Sequence, residues 1–283
     1  MLFNSIEFLL FFPAVVLLYY AIPGKLRVFW ILLTSYLFYM NWNPAYALLL
    51  LFSTAVTFLF GLLIGKRRTK EKAAAEAGRP IHQLSKVWVG VSFAVNLAIL
   101  FFYKYFDFTV DNLNVIRGWM GLAPVTPGFD VLLPVGISFY IFQALSYVVD
   151  VYRGDVAAQR SFVDLAAYVA MFPQLIAGPI VRYSDVAAQL RTRMHSVSDA
   201  AYGARRFVLG LAKKILLANQ LGALVSAFRT TKDGSVLYTW LYAVAFLLQI
   251  YYDFSGYSDM AIGLGRIFGF RFPENFNYPY IAA

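Results

Sequence analysis

Tyr46-Ala-Leu-Leu-Leu-Leu-Phe-Ser-Thr-Ala-Val-Thr-Phe-Leu-Phe-Gly-Leu-Leu-Ile64 contains no charged side chain. A helix needs about 20 mostly apolar residues to cross the hydrocarbon core of a bilayer, where its backbone polar groups must be satisfied within the segment. The run therefore reads as a membrane span, and its surroundings repeat the pattern. Upstream, Ile6–Ile22 is closed by Pro23-Gly24, and the short, aromatic-rich Val28–Met40 is closed by Asn41-Trp42-Asn43-Pro44. Downstream comes polar Lys66–Lys86, with a small surface helix predicted over Lys70–Ala77 and stopped by Gly78 and Pro80. Val87–Tyr103 is the next span, residues 104–130 read as loop with interfacial helix, and Val131–Val149 follows. Ser161–Val181 is apolar but interrupted by Pro173, Gly178 and Pro179; Ser161 with Asp164 marks a capping box, and the segment reads as a broken, re-entrant helix pair. Phe207–Phe228, Val236–Tyr252 and a further helix over Phe254–Phe268 complete the layout. The expected fold class is all-α, a polytopic integral membrane helical bundle.

Composition agrees. Of 283 residues 60% are hydrophobic and 14% charged, where a soluble domain carries about 25% charged residues. The net charge of +9 would suit nucleic acid on a soluble protein, but here the cations stand in short segments beside apolar runs, so topology explains them and no nucleic-acid partner is expected. With the N-terminus outside, the inner segments hold Lys25, Arg27, Lys66, Arg67, Arg68, Lys70, Lys72, Arg79, Lys86, Arg153 and Arg160. They also hold Arg182, Arg191, Arg193, Arg205 and Arg206, and the outer segments only Lys104, Arg117, Arg229 and Lys232. That bias requires Ser161–Val181 to dip in and return. Membrane lipid is the first partner implied. The absence of cysteine excludes disulfides and thiolate metal sites. His82 and His195 stand in separate loops, read as solvated surface residues and show no metal-ligand spacing.

Gln249-Ile-Tyr-Tyr-Asp-Phe-Ser-Gly-Tyr-Ser-Asp259 is too polar for lipid contact. Such density at membrane depth faces a polar cavity or the water boundary. Gly256-Tyr257-Ser258-Asp259-Met260 lacks the second glycine of a nucleophile elbow and has no preceding strand. Gly263-Leu-Gly265 reads as helix packing, and Gly61…Gly65 is a GxxxG pair, a weak signal because chance matches abound in apolar helices. Asn96 and Gln143 read as hydrogen-bonding partners of neighbouring helices.

Several stretches together resemble the membrane-bound O-acyltransferase family, above all its bacterial branch that acetylates alginate and D-alanylates teichoic acids. They are Phe101-Phe-Tyr-Lys-Tyr-Phe-Asp107, Leu133-Pro-Val-Gly-Ile-Ser-Phe-Tyr-Ile-Phe142, Ser146-Tyr-Val-Val-Asp-Val-Tyr-Arg-Gly154, Phe172-Pro-Gln-Leu-Ile-Ala-Gly-Pro-Ile180, Tyr252-Asp-Phe-Ser-Gly-Tyr-Ser-Asp-Met-Ala-Ile-Gly263 and Phe272-Pro-Glu-Asn-Phe-Asn-Tyr-Pro-Tyr280. The resemblance implies O-acyl transfer, with no bound cofactor, from a cytoplasmic thioester donor (acetyl-CoA or a carrier-linked acyl group) to a polysaccharide hydroxyl, with periplasmic or extracellular partner proteins at a bacterial inner membrane. It implies a general-base histidine in a segment beyond Ala283. Residues 1–283 then form the N-terminal part of one domain, without a catalytic residue and inactive in isolation. Gln174, Asp253, Ser255, Tyr257 and Asp259 are the candidates for lining or bracing the tunnel. The basic loop Arg182–Arg206, with Arg182, Arg191, Arg193, Arg205 and Arg206, is the candidate donor-side attractor. The rival readings are a non-catalytic scaffold subunit and a transporter.

Overall fold

The computed structural model describes every residue except positions 2, 79, 81, 82, 130, 177, 232–234, 278, 282 and 283. His82, Arg79 and Lys232 thus lie outside the described residues. The helices in chain order are α1 Ile6–Ala21, α2 Arg27–Met40, α3 Pro44–Glu76, α4 Leu84–Trp119, α5 Ile137–Arg153, α6 Phe162–Ala170, α7 Phe172–Leu175, α8 Tyr183–Arg191, α9 Val197–Ala212, α10 Asn219–Thr230 and α11 Val236–Ile267. The described residues form no strand, and the all-α expectation holds. Contacts divide the chain into two compact units, one of Met1–Pro44 with Ala170–Ala283 and the other of Ala45–Val169.

Several expected boundaries are corrected. The surface helix expected over Lys70–Ala77 is the continuation of α3, and the helix within the loop expected over 104–130 is the continuation of α4 to Trp119. α9 begins ten residues before Phe207 and runs through a π-helical stretch, Lys213–Ala218, into α10. The two helices expected over 236–268 are the single α11. Among the described residues three helices are long and apolar enough to cross a membrane, Pro44–Glu76, Leu84–Trp119 and Val197–Thr230, and α1 is a shorter apolar helix. α2 matches the short Val28–Met40 expected, whereas α5, with 17 residues, begins later and ends later than the expected Val131–Val149. α11 falls outside those three because phenols, Gln249 and Asp253 dilute its apolar run.

In the Ala45–Val169 unit, polar side chains pair between helices. Ser53 on α3 donates to Asn96 Oδ1 on α4 at 2.8 Å, and Gln143 on α5 donates to the Tyr168 carbonyl on α6 at 2.9 Å. The GxxxG pair, weak as a sequence signal, is used. A Cβ on Gly61 would lie 2.7 Å from the Tyr147 ring, and one on Gly65 would lie 2.6 Å from Ala158 Cβ. Glu71, buried near the end of α3, accepts from the Ser85 backbone N–H at 2.9 Å and the Ser85 hydroxyl at 2.5 Å, so it caps the unsatisfied N-terminus of α4 from another helix. Gly154, at φ 88°, ends α5.

In the other unit, α7 is the short second limb of the expected broken pair, and the chain breaks from α6 at Met171. Ser35 on α2 accepts the Phe172 N–H at 3.1 Å and donates to the Ile31 carbonyl at 2.7 Å. Gly178 is required where the chain folds back, because a Cβ there would sit 2.3 Å from Gln174 Cα. Phe3, Phe8, Phe38, Phe172 and Phe268 form an aromatic core, with Phe172 and Phe268 edge to face at 5.9 Å. The second half of α11, from Ser255 to Gly265, is almost wholly buried, while its first half exposes Val236, Leu237 and Trp240.

Candidate functional site between α9 and α11

α9 and α11 run antiparallel and touch backbone to backbone at two points. A Cβ on Gly203 would lie 2.5 Å from the Gly263 carbonyl oxygen, and one on Gly210 would lie 2.5 Å from that of Gly256. Small residues let helices approach this closely in a membrane, where packing and hydrogen bonds replace the hydrophobic drive. The helix-packing expectation for Gly263 and Gly265 is met, since a Cβ on Gly265 would meet the Phe272 ring at 2.5 Å.

Beside this seam the charged residues converge. Asp259, buried on α11, receives Arg206 Nε at 2.8 Å on Oδ1 and Lys213 Nζ at 2.5 Å on Oδ2. Arg206 also donates to Glu274 at 2.5 and 3.0 Å and to the Tyr202 hydroxyl at 2.9 Å. Lys214 pairs with Asp253, six residues back along α11. Consecutive lysines reach these two carboxylates from the first turn of the π-helical stretch, a geometry frequent at functional sites. A cavity of about 660 Å³ opens here, lined by Arg205, Arg206, Lys213 and Asp259 with Tyr202, Tyr251, Phe276 and the leucines 209, 216 and 217. Arg206 and Lys213 are held by Asp259, whereas Arg205 has no carboxylate within ion-pair distance among the described residues.

Of the predicted tunnel residues, Asp259 borders the cavity, and Asp253 lies about 9 Å further along the helix. Ser255 is buried, and Tyr257 stacks on Phe3 at 4.6 Å. The hydroxyl oxygens of Ser255, Tyr257 and Ser258 and the amide oxygen of Gln249 are buried without a hydrogen-bond partner among the described residues. They are spread around α11, with Ser255 and Tyr257 on opposite sides of the helix, so they form no single polar face. Gln174 is buried in α7.

The basic loop is corrected. Arg182 to Arg191 belong to α8 and its cap, Arg193 to a linker, and Arg205 and Arg206 to α9. Arg182 precedes α8, its N–H held by Asp185 at 2.9 Å, and Arg191 is exposed in the last turn. The Arg193 guanidinium sits 4.4 Å above the Phe270 ring and donates to the Gln189 carbonyl at 3.0 Å. Of the five, Arg205 and Arg206 reach the cavity.

His195 is not the solvated residue expected. It is half-buried, and its Nε2 lies 2.8 Å from the Tyr19 hydroxyl. That phenol donates its one proton to the Phe268 carbonyl at 3.0 Å, so its oxygen accepts from Nε2–H and from Arg193 Nη2 at 3.3 Å. Nδ1 then faces Arg27 Nη1 at 3.5 Å as an acceptor. Burial, then Arg27 and Arg193, pull the imidazole pKa below its ordinary 6.5, opposed by the Phe268 carbonyl. Lys213, Lys214, Glu274 and this histidine network escaped the sequence reading. A span begun at Phe207 separates Arg206 from Lys213, and seven-residue spacing along an unbroken helix was the signal that could have joined them.

Residues 156–280, which include α6 to α11, match the model of the membrane-bound O-acyltransferase family. The chain is 41% identical over its whole length to the probable alginate O-acetylase AlgI of Azotobacter vinelandii, of which it covers 54%. It is 42% identical over its whole length to the protein of the same description from Pseudomonas aeruginosa, covering 52%. A peptidoglycan O-acetyltransferase of Helicobacter pylori is 30% identical over 89% of this chain and 50% of its own length. The chain thus spans about half the length of the curated relatives it matches. The region that matches the membrane-bound O-acyltransferase family model includes the helix seam and the ion-pair cluster, and the identity to these relatives extends beyond it through both units.

Proposed function

We propose that this chain is the N-terminal part of a single membrane O-acyltransferase domain, which moves an acetyl group from a cytoplasmic thioester donor to a hydroxyl of an exported polysaccharide. The setting is a bacterial inner membrane with the N-terminus outside, where external partner proteins present the acceptor. The names of the relatives support an O-acetyl group and a glycan acceptor. The observation that carries the donor side is the cavity between α9 and α11, in which the uncommitted cation Arg205 faces apolar and aromatic walls. A phosphate-bearing thioester such as acetyl-CoA or an acyl carrier has that pairing of anion and apolar arm.

Acyl transfer also needs a base for the attacking hydroxyl and positive charge for the developing oxyanion. The cavity offers cations and no imidazole among its lining residues. It is the family resemblance, rather than this cavity, that implies a base in a histidine segment beyond Ala283. Asp259 is a positioning residue, holding Arg206 and Lys213 in place.

Arg205→Gln in the full-length protein tests the reading. Among the described residues no carboxylate binds Arg205, so the variant is expected to fold. We expect KM for the thioester donor to rise about ten-fold or more, a loss of one charge-assisted contact of roughly 1.5–3 kcal/mol, with KM for the acceptor unchanged. An unaltered donor KM would remove this cavity from the donor path.

A further inference from the structure

We propose that a second cavity, in the Ala45–Val169 unit at the cationic end of α3, is a binding site for a phosphate-bearing anion, filled by the headgroup of an anionic phospholipid. α3 is uncharged through Ile64 and then continues as one helix through Lys66, Arg68, Lys70 and Lys72. A cavity of about 940 Å³ opens against this stretch. Those four cations and Arg160 line it, and Glu76 is its sole acidic lining residue among the described residues.

The charge there is unbalanced. Arg68 is engaged, lying 5.0 Å from the Tyr152 ring centroid and 4.0 Å from Glu71. Among the described residues no carboxylate comes within ion-pair distance of Lys66, Lys70, Lys72 or Arg160. Glu71, the acidic side chain nearest in sequence, is committed to capping α4 through Ser85. Lys66 and Lys70 stand four residues apart on one helix face, where like charges repel. A bound anion removes that penalty.

The walls identify the ligand class. Leu62, Val151, Val156 and Ala157 supply an apolar side, and the cations begin where the apolar run of α3 ends. Gly65 lets the chain at Ala158 press onto α3 and close the cavity. A phosphodiester with acyl chains matches this succession, phosphate at the lysines and chain toward Leu62. Lys and Arg near a membrane surface attract anionic lipid. A signal for orientation alone requires only the charges, and nothing in it requires that they line a walled cavity.

The test uses the full-length protein in detergent, with thermal unfolding as readout and three additives: dioleoyl phosphatidylglycerol, dioleoyl phosphatidylcholine and coenzyme A. We expect phosphatidylglycerol to raise Tm by several degrees more than phosphatidylcholine. The variant Lys66→Gln/Lys70→Gln/Lys72→Gln/Arg160→Gln should lose that difference. Protection by coenzyme A alone, lost in the variant, would keep the phosphate site and overturn the lipid as its occupant. Equal response to both lipids with no effect of coenzyme A, or a preference the variant retains, would overturn the site. Should the variant fail to fold, photoactivatable phosphatidylglycerol on the unmodified protein decides. Crosslinks within residues 62–76 or 151–160 support the site, and crosslinks confined elsewhere refute it.

Discussion

A single carboxylate holds two cations at the candidate site, and the consequences are largest there. Asp259 is buried and accepts Arg206 and Lys213 on opposite oxygens. Its removal takes a buried partner from both cations, but Arg206 keeps Glu274 and Lys213 is partly exposed, so the cost is about 1–3 kcal/mol. Asp259→Ala should therefore lower denaturant stability in detergent by that amount. Adding Arg206→Met should recover part of the loss, and a strictly additive double mutant would contradict the coupling. His195 makes a second prediction. Its folded pKa lies below the ordinary 6.5, so between those values the unfolded chain binds more protons than the folded one. Its contribution is present above 6.5 and is lost as pH falls through the folded pKa. Tm should drop between pH 7.5 and 5 in the wild type and drop less in His195→Gln, as measured by unfolding scans across that range. Asp259 and Arg206 were legible as residue types because charge is conspicuous in an apolar sequence. Their pairing was not, since no local pattern joins positions 53 residues apart. His195 was misjudged because its partner Tyr19 lies 176 residues away.

Helix limits differ from the limits of apolar runs. Residues 66–76 stop being apolar but hold no Pro or Gly and are rich in Lys, Glu and Ala, which favour helix, so α3 passes straight through. Lys104–Arg117 on α4 also holds no Pro or Gly and continues as helix, and at Asp253–Gly256 on α11 tertiary packing carries the helix across a glycine. The break at Met171–Gly178 was legible because Pro173 and Gly178 are punctuation that apolar neighbours cannot override. At this scale glycines separate cleanly by environment. Gly210→Ala would set a methyl carbon 2.5 Å from a carbonyl oxygen and 2.7 Å from the Met260 backbone nitrogen, and neither can yield as a side chain would. We expect loss of about 3 kcal/mol or more, or failure to express as folded protein. Gly90→Ala, with nothing within 4 Å, should be neutral or slightly stabilising. Equal effects in a detergent unfolding assay would contradict the packing of α9 on α11.

For the whole molecule, the proposed orientation predicts labelling. Cysteines introduced at Lys70 and Arg191 should be shielded from impermeant thiol reagents in intact cells, and one at Arg117 should react; the reverse pattern would invert the topology. Deleting the full-length gene should remove O-acetyl esters from the exported polysaccharide, and unchanged ester content would end the acyltransferase reading. The glycine contacts of α9 with α11 add a restriction on how such a protein can move. The carbonyls of Gly256 and Gly263 sit in the gaps left by absent side chains at Gly210 and Gly203, two notches seven residues apart on each helix. A slide of one turn would drive a bulky residue against each notch, so the two helices are keyed like a ratchet with a single tooth position. Whatever opens and closes during a turnover cycle has to carry this pair as one strut and bend elsewhere.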